Sequence, residues 1–356
     1  MSKKDKPKHA KLIVNPGSGT ASGRGKLLEQ AARCLKKQGI DVDVAVAKPK
    51  ERAIPIVRQA IKDGYKTIIA MGGDDTIEAI IRGMAGSKVR LGMIPVGTAN
   101  NLAKGLGIPE DVEQACAIIA AGKFRKLDLG LARVGKRKKL PFFELVTVGI
   151  AAAIYPEALR VRKGRLDRLK TAIQKAWHHE IRPKITLQMD GESEVTVESM
   201  QVIVSNVPLI GLNMLVTPHA STDDGLLDVA LFPNFTKAEL LAYSTRVMNQ
   251  GTTDDGKIQR YRASSMTIRS APKQAVMADG VMLGKGKVKI KVWPGALRVY
   301  TPPVGSGVEK PQDQAEVDLP APVAPAVDKK NAKSNGEPHQ GKPVDEQLVE
   351  IIRTGN

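Results

Sequence analysis

Two glycine-containing segments, close together in the sequence, have the composition of phosphate-binding loops. MGGDDT begins at Met71 and PVGTANN begins at Pro95, each between an apolar strand-like run and a helix-like run. Glycines at a helix N-terminus let backbone N–H groups approach an anion without a Cβ in the way. A third segment, NPGSGTASGRGK from Asn15, has the same order of strand, loop and helix. The three segments therefore predict sites for phosphate groups.

Asp74 and Asp75 follow the glycines of the first segment, where they could hold a divalent cation against phosphate oxygens. The alternative is that they only complement the dipole at the start of a helix, since glycine turns are common in α/β domains. Open α/β sheets bind ligands at the carboxyl ends of their strands, so three such loops favour one nucleotide site. None of the loops has the Gly-Lys-Ser/Thr ending of a Walker loop.

Alternating strand-like and helix-like runs position these loops over about the first 130 residues. Short apolar runs predict strands at 11–15, 40–47, 67–71, 90–95 and 126–134. Amphipathic spacing predicts helices at 24–37, 53–63, 76–84, 101–106 and 112–121. This alternation indicates a three-layer α/β domain with helices on both faces of one sheet.

The pattern changes after Lys139 to runs rich in Val, Ile and Thr that often alternate in polarity. They predict strands at 142–150, 183–190, 194–206, 226–233, 263–270, 275–283 and 287–294. Helical spacing predicts insertions at 156–180 and 236–250. We therefore expect an α/β domain over 1–130 and an antiparallel β-sandwich over 131–295. Residues 303–356, rich in Pro, Ala, Lys and Glu, are expected to form a disordered tail.

Five segments, in this order, resemble the signatures of the diacylglycerol-kinase-type lipid kinases, which include bacterial diacylglycerol kinases and sphingosine kinases. The family segments are an NPxxG loop, a GGDGT loop, a GTxND loop, DDGLLD and a late DGE. Here they lie at 15–19, 72–76, 97–101, 223–228 and 279–281. The resemblance spans roughly residues 11 to 302, and the order and spacing are specific. GGDGT alone would be shared with NAD kinases and phosphofructokinases.

The resemblance implies a first domain like that of phosphofructokinases and NAD kinases, followed by the β-sandwich. It also implies that a strand near 296–302 returns to the first domain. ATP would lie in the cleft between the domains, and the lipid would enter from the second domain. The residues implied to contact ATP are Asn15, Pro16, Gly17, Gly19, Gly72, Gly73, Asp74, Asp75, Thr76, Gly97, Thr98 and Asn100.

Catalytic and metal-binding roles are also implied by the resemblance. Asp74 would face phosphate and Mg²⁺ as one catalytic residue, and Asp279 would help take the hydroxyl proton as the other. A magnesium site of the second domain would use Asp224, the carbonyl of Leu226 and Ser221.

Three positions depart from the family pattern. Asp75 stands where the family has glycine, Asn101 where it has an acid, and Val281 where it has the glutamate of DGE. Valine can neither accept a proton nor bind a metal ion. Asp279 is expected on the same strand face as Val281, because side chains alternate along a strand, and could carry the proton transfer alone. The alternative is that Asp279 is only a turn residue, since Asp-Gly is a frequent hairpin dipeptide.

The chain is strongly basic, with a formal net charge of +18. The segment from 304 onward contributes −3, which leaves about +21 on the rest. Arg160 to Lys184 has the spacing of a basic amphipathic helix, although a solvated helix of the same domain is equally compatible. Aromatic residues make up 3% of the chain, which argues against a stacking platform for single-stranded nucleic acid. An anionic membrane surface is the better match.

No apolar run reaches the roughly 18 residues of a membrane span, and no signal peptide is evident. We therefore expect a cytoplasmic protein associated peripherally with the inner membrane face. Cys34 and Cys116 lie in helix-like apolar runs and do not predict a disulfide framework. A homodimer is an expectation that rests on the resemblance alone.

Three hypotheses about function remain open. The first is an ATP-dependent lipid kinase that transfers the γ-phosphate to a hydroxyl of diacylglycerol or a related lipid. The second is a catalytically weak or silent relative that binds nucleotide and membrane, motivated by Val281 and Asp75. The third is an NAD kinase, because of the shared GGDGT loop. A role in binding nucleic acid, which rests on charge alone, ranks below all three.

Overall fold

The computed structural model describes residues 8–15, 24–48, 52–155, 182–210, 214–250 and 255–303. Three groups of predictions lie outside these residues. They are the glycine loop positions Pro16, Gly17 and Gly19, the basic helix predicted at 156–180, and the tail from 304 onward.

Four parallel strands carry the first part of the fold, in the spatial order β2-β1-β3-β4. They are β1 (His9–Val14), β2 (Asp41–Val46), β3 (Thr67–Gly72) and β4 (Arg90–Pro95). All six residues of β3 are buried. A strand buried on both faces of a parallel sheet is a continuous apolar run, and this is why the sequence pattern located β3 and β4.

Five helices connect and cover these strands. They are α1 (Arg24–Lys37), α2 (Ala53–Lys62), α3 (Asp74–Met84), α4 (Asn101–Gly105) and α5 (Val112–Ala121). Helix α2 packs on α3, and α1 packs on α5. Gly83 of α3 permits the first contact, since a Cβ there would lie 2.9 Å from a side-chain atom of Val57. The layered α/β arrangement leaves the carboxyl ends of the strands uncovered for the loops.

Antiparallel strands build the second part. They are β5 (Phe124–Val134), β6 (Leu140–Phe142), β7 (Leu145–Gly149), β8 (Lys184–Met189), β9 (Val195–Ser205), β10 (Leu209–Ile210), β11 (Met214–Leu215), β12 (Leu227–Pro233), β13 (Gln259–Ala263), β14 (Ser265–Ala271), β15 (Ala275–Ala278), β16 (Val281–Lys285) and β17 (Val288–Tyr300). Strand β9 pairs with β8 on one side and with β7 and β12 elsewhere along its length. Residues 150–155 are helical, and α6 (Lys237–Gln250) follows β12.

Strand β17 joins the two parts. It pairs antiparallel with β14 and β5, and at Arg298 and Val299 it pairs parallel with β4. The sequence pattern predicts a strand at 287–294 and the resemblance implies another near 296–302, whereas the structure has one strand with an irregular register between Trp293 and Leu297. A single hydrogen-bonded sheet therefore runs through both parts.

Two apolar cores correspond to the two parts. One lies around the parallel strands and includes Leu12, Ile69 and Leu91, and the other lies between antiparallel strands and includes Val202, Leu231 and Ile290. Among the described residues, no helix combines the length and the apolar character that crossing a bilayer requires.

Asp128 of β5 is a buried carboxylate that ties distant segments together. Its two oxygens accept the backbone N–H groups of Gly225 and Gly295, each at 2.8 Å. Its own backbone N–H donates to the carbonyl of Thr222, and its carbonyl accepts from the side-chain amide of Asn206. A buried acceptor that satisfies two backbone donors stabilises the fold, because either donor alone would lose its bond to water.

We predict that Asp128→Asn lowers the free energy of unfolding by about 1–3 kcal/mol, the cost of an unsatisfied buried group. The amide nitrogen would face a backbone N–H, so one of the two donors would have no acceptor. Thermal denaturation followed by circular dichroism measures the change. Asp41→Asn, at an exposed position of β2, is the matched control. Equal melting temperatures for the two variants would contradict the role given to Asp128.

Candidate active site

Three loops meet at one edge of the parallel sheet. Strands β1, β3 and β4 are neighbours and run in the same direction, so the segments that follow them emerge together. Asn15 follows β1, Gly72 and Gly73 end β3, and Gly97 follows β4. The backbone N–H of Val96 donates to the carbonyl of Gly72 at 3.1 Å, and that of Asn15 donates to Met71 at 3.3 Å. The loops therefore form one surface.

The backbones of Gly73 and Gly97 lie in direct contact. A Cβ on Gly97 would lie 2.4 Å from the Cα of Gly73, and a Cβ on Gly73 would lie 3.1 Å from the Cα of Gly97. Only glycine at position 97 permits this approach, and a Cβ at position 73 would make a tight contact. The contact explains why both loops are rich in glycine, apart from any ligand.

Side chains lock the three loops together. The side-chain amide of Asn15 donates to the hydroxyl of Thr76 at 3.0 Å, which joins the first loop to α3. One carboxylate oxygen of Asp74 accepts the backbone N–H of Leu102 at 3.2 Å, which joins α3 to α4. Asp74 and Asp75 are half-buried at the first turn of α3. The helix N-terminus and its N–H groups therefore face the same edge as the glycines.

Asn100 builds the third loop rather than presenting its side chain outward. It is 1% exposed and has a left-handed φ of 54°. Its side-chain oxygen accepts from Gly97 N–H at 2.9 Å, and its amide donates to Gly97 O and to Glu110. Asparagine tolerates this conformation better than most residues. Thr98, at the tip of the same loop, is exposed.

A small cavity lies beside these loops, between the first part of the fold and the second. Its polar lining residues are Asn101, Glu144 and Thr222. The other lining residues, apolar or without a side chain, are Leu102, Gly105, Leu106, Phe143, Val207 and Pro208. Leu102 thus borders the cavity while its backbone binds Asp74.

Asp279 lies in a turn, and its carboxylate accepts hydrogen bonds from backbone N–H groups. Asp279 and Gly280 have φ of 38° and 68°, as in the type I′ turns that join two-stranded hairpins, here β15 and β16. The prediction that Asp279 and Val281 share a strand face is therefore wrong, because Asp279 is not in a strand. The alternative reading of Asp-Gly as a turn is the one observed.

The carboxylate of Asp279, in a residue 5% exposed, accepts three backbone N–H groups. Phe143 donates at 2.6 Å, and Glu144 and Leu145 donate at 3.1 and 2.9 Å. Arg82 of α3 donates to the carbonyl of Asp279 at 3.3 Å. Burial raises the pKa of Asp279, and the backbone N–H groups and Arg82 oppose that rise. Asp279 thus fixes the segment before β7 and ties the hairpin to α3.

Glu78 and Glu144 are two buried acids that the sequence analysis missed. Burial raises the pKa of each well above its usual range, and the charge of Asp279 raises both further. Glu78 has a cationic neighbour in Arg82, at 3.9 Å. For Glu144, 7% exposed, Oε1 has no hydrogen-bond partner among the described residues. The sequence did contain a signal for Glu144, because a carboxylate inside an apolar run such as FFELVTVGI is expected to be buried.

The predicted magnesium residues of the second part make other contacts. Arg262 forms an ion pair with one carboxylate oxygen of Asp224, and the N–H of Leu226 donates to the other at 3.0 Å. The hydroxyl of Ser221 donates to Asp223, not to Asp224. Because a guanidinium and an N–H group already occupy the Asp224 carboxylate, this arrangement does not fit a divalent cation.

The carboxylates near the glycine loops are a better match for Mg²⁺. Only one oxygen of Asp74 takes the Leu102 N–H, and Mg²⁺ commonly uses one or two carboxylates together with phosphate oxygens. In the described part of the chain, no three His, Cys, Asp or Glu side chains are grouped to hold a metal by themselves. The donor set therefore fits a cation that arrives with phosphate groups.

Next to the Asp224 pair, Asp228 is also buried. Arg262 lies 3.6 Å from it, yet burial dominates and raises the pKa of Asp228 to about 6, with a further contribution from the charge of Asp224. Arg262 thus forms ion pairs with two carboxylates, those of Asp224 and Asp228, at this end of the β12–β13 pair.

Comparisons with known proteins cover nearly all of the described chain. Residues 9–132 match the family described as the diacylglycerol kinase catalytic domain. Residues 145–301 match the family described as the YegS C-terminal NAD kinase beta sandwich-like domain. The predicted fold class, an α/β domain followed by an antiparallel β-sandwich, is confirmed.

Individual proteins of named activity are similar over the same length. The protein named "Probable lipid kinase YegS" from Salmonella paratyphi A is 30% identical over 300 residues, which cover 83% of this chain and 96% of that protein. A diacylglycerol kinase of Mycobacterium tuberculosis is 26% identical over 294 residues, covering 82% and 94%. A crystal structure of a diacylglycerol kinase from Bacillus anthracis str. Sterne shares the fold, with a TM-score of 0.64, 20% identity and coverage of 83% and 97%.

The contact between the two glycine backbones predicts a strong effect of Gly97→Ala. The added methyl group would overlap the Cα of Gly73, so we expect a loss of about 1–3 kcal/mol in the free energy of unfolding, as for overpacked sites. Gly105→Ala is the matched control, because a Cβ there meets no atom within 4 Å. Thermal melting of both variants decides the matter. Equal stability of the two would mean that the loops separate easily.

The burial of Glu144 predicts a pH-dependent effect of Glu144→Gln. A raised pKa in the folded state contributes stability below the unfolded pKa of about 4.3, and that stability is lost as the pH rises through the folded pKa. The side-chain amide of the Glu144→Gln variant does not titrate, so the variant does not lose this stability as the pH rises. The melting temperature of Glu144→Gln relative to the native protein should therefore rise from pH 5 to pH 8. Glu192→Gln, at an exposed turn, should show no such trend.

Proposed function

Because the chain belongs to the diacylglycerol-kinase-type lipid kinase family, we propose that it transfers the γ-phosphate of ATP to a hydroxyl group of diacylglycerol or a related lipid. The observation that carries the proposal is the Gly73–Gly97 contact at the carboxyl ends of β3 and β4. It produces a surface without side chains beside the N-terminus of an eleven-residue helix.

Phosphate binding follows from that surface. The backbone N–H groups at the N-terminus of α3 point out of the helix, and the helix dipole favours an anion at this end. The hydrogen bond from Asn15 to Thr76 holds the first loop to α3, and the bonds between Asn100 and Gly97 hold the third loop in place. We assign the binding of the ATP phosphates to the backbones of Gly72, Gly73 and Gly97, with Thr98 at the exposed tip.

Asp74 has the position to carry magnesium to the phosphates. One of its oxygens binds the backbone of α4, and Asp75 lies beside it on the same turn. A magnesium ion bound there with ATP would neutralise the phosphate charge that develops during transfer. In our proposal Asp74 orients that ion, while the contact with Leu102 fixes the carboxylate.

The acceptor lipid would come from the second part of the fold. The cavity between α4 and the residues near Val207 has a mostly apolar lining, which suits the hydroxyl-bearing end of a lipid. The basic composition of the chain is consistent with attraction to an anionic bilayer, as in peripheral association with the inner membrane face.

Transfer of labelled phosphate to vesicles tests the proposed function. The purified full chain, with Mg²⁺ and γ-labelled ATP, should label a lipid in vesicles that contain diacylglycerol, phosphatidylglycerol and phosphatidylcholine. Clear nucleotide binding by calorimetry with no labelled product across a panel of lipid hydroxyls would favour a silent relative. Label appearing in NAD would favour an NAD kinase.

Asp74→Asn separates the charge of this residue from its structural contact. The amide oxygen can still accept the Leu102 N–H, but it binds a divalent cation poorly, so we expect kcat to fall by at least about 100-fold. The lipid assay measures the effect, and thermal melting checks the fold. Asp41→Asn on the exposed β2 surface is the control. A kcat within threefold of the native value would contradict the role of Asp74.

A further inference from the structure

We propose that Glu144 is the general base of this enzyme, the group that takes the proton from the acceptor hydroxyl. The inference rests on the proposed function and assigns a step for which the DGE position, here Val281, has no suitable side chain. It follows from the position of the Glu144 carboxyl group and the hydrogen bonds around it.

One oxygen of the Glu144 carboxyl group is buried without a hydrogen-bond partner among the described residues. The residue is 7% exposed, Oε1 has no hydrogen-bond partner among the described residues, and the side chain lines the cavity with Asn101 and Leu102. A buried carboxyl oxygen without a partner costs stability. A hydroxyl group that enters the cavity would supply the missing donor.

The cavity lies next to the phosphate-binding loops. Leu102 lines the cavity, and its backbone N–H binds Asp74 at the start of α3. Leu102 of α4 therefore borders the cavity that Glu144 lines and also binds Asp74 at the proposed phosphate surface. The cavity is small, with room for a group about the size of one water molecule, so a hydroxyl group fits while the rest of the lipid must lie outside it.

Asp279 is a positioning residue for this base. Both of its oxygens are used by the N–H groups of Phe143, Glu144 and Leu145, which leaves the carboxylate facing backbone. The N–H of Glu144 itself is one of the three donors. Asp279 therefore holds the backbone that carries Glu144, whereas Val281, half-buried at the start of β16, offers no acceptor.

The charges around Glu144 favour its action as a base. Asp279 on the hairpin and Asp74, Asp75 and Glu78 on α3 are acidic, and Arg82 is the cation of α3 that binds Glu78 and the Asp279 carbonyl. Burial and the charges of Asp279, Asp74 and Asp75 raise the pKa of Glu144. A carboxylate with a raised pKa accepts a proton more readily than an ordinary one.

The O–H bond of the lipid breaks and its proton moves to the Glu144 carboxylate, while the lipid oxygen forms a bond to the γ-phosphorus. The bond between that phosphorus and the bridging oxygen breaks, and ADP leaves with the electron pair. The proton on Glu144 returns to solvent after the products depart.

Glu144→Gln in the full chain tests the inference. We expect kcat for lipid phosphorylation to fall by about 100-fold or more, the usual contribution of a general base. The affinity for ATP, measured by calorimetry with a non-hydrolysable analogue, should stay within about twofold of the native value, a threshold set by the precision of such titrations. Glu144→Asp keeps a carboxyl group at a shorter reach and should retain an intermediate kcat. Thermal melting shows that each variant is folded.

The pH profile separates a base from a merely structural residue. In the native protein kcat should rise with pH to a plateau as Glu144 loses its proton, and Glu144→Gln should lack this rise. Glu78→Gln, which removes a second buried carboxylate on α3, should keep both the rise and most of the activity. If the native protein phosphorylates lipid and Glu144→Gln keeps kcat within threefold, the inference is wrong and the proposed function stands. If the native protein binds ATP but labels no lipid, both are wrong.

Discussion

Two buried carboxylates, Asp128 and Asp279, hold the parallel sheet and the antiparallel strands in one arrangement. Each accepts backbone N–H groups from segments far away in the sequence, and each lies where these segments would otherwise leave donors unsatisfied. Backbone donors that are buried must find acceptors, so this constraint fixes the loop before β12, the bend of β17 and the segment before β7 at the same time. These hydrogen bonds therefore also fix the positions of the loops and the cavity.

Local patterns predicted much of the fold. The limits of α1, α5 and β4 coincide with those expected from periodicity, because a long amphipathic helix or a fully buried strand imposes its period on the sequence. The span 275–283 was expected to be one strand, but Asp279 and Gly280 both adopt left-handed conformations and reverse the chain. The preference of the Asp-Gly dipeptide for a hairpin turn therefore outweighed the tendency of the apolar run to form one strand.

The glycine loops could be predicted because their residues are contiguous, and each motif can be read without knowledge of the rest of the chain. Asp128, Glu78 and Glu144 could not, because their importance depends on partners more than sixty residues away along the chain. Asp224 shows the opposite difficulty, since the local DDGLLD segment resembles a cation site while Arg262, 38 positions later, takes the carboxylate. Contacts between segments far apart in the sequence therefore determine which acidic side chains are available to act in a reaction.

The unbroken course of β17 limits how the two parts can move. Its hydrogen bonds extend from β14 and β5 to β4, so a hinge between the parts would have to break the ladder at Arg298 and Val299. Large rotations of the first part of the fold against the second are therefore disfavoured in this molecule. A bulky molecule must therefore enter and leave through movements smaller than a rotation of one part against the other.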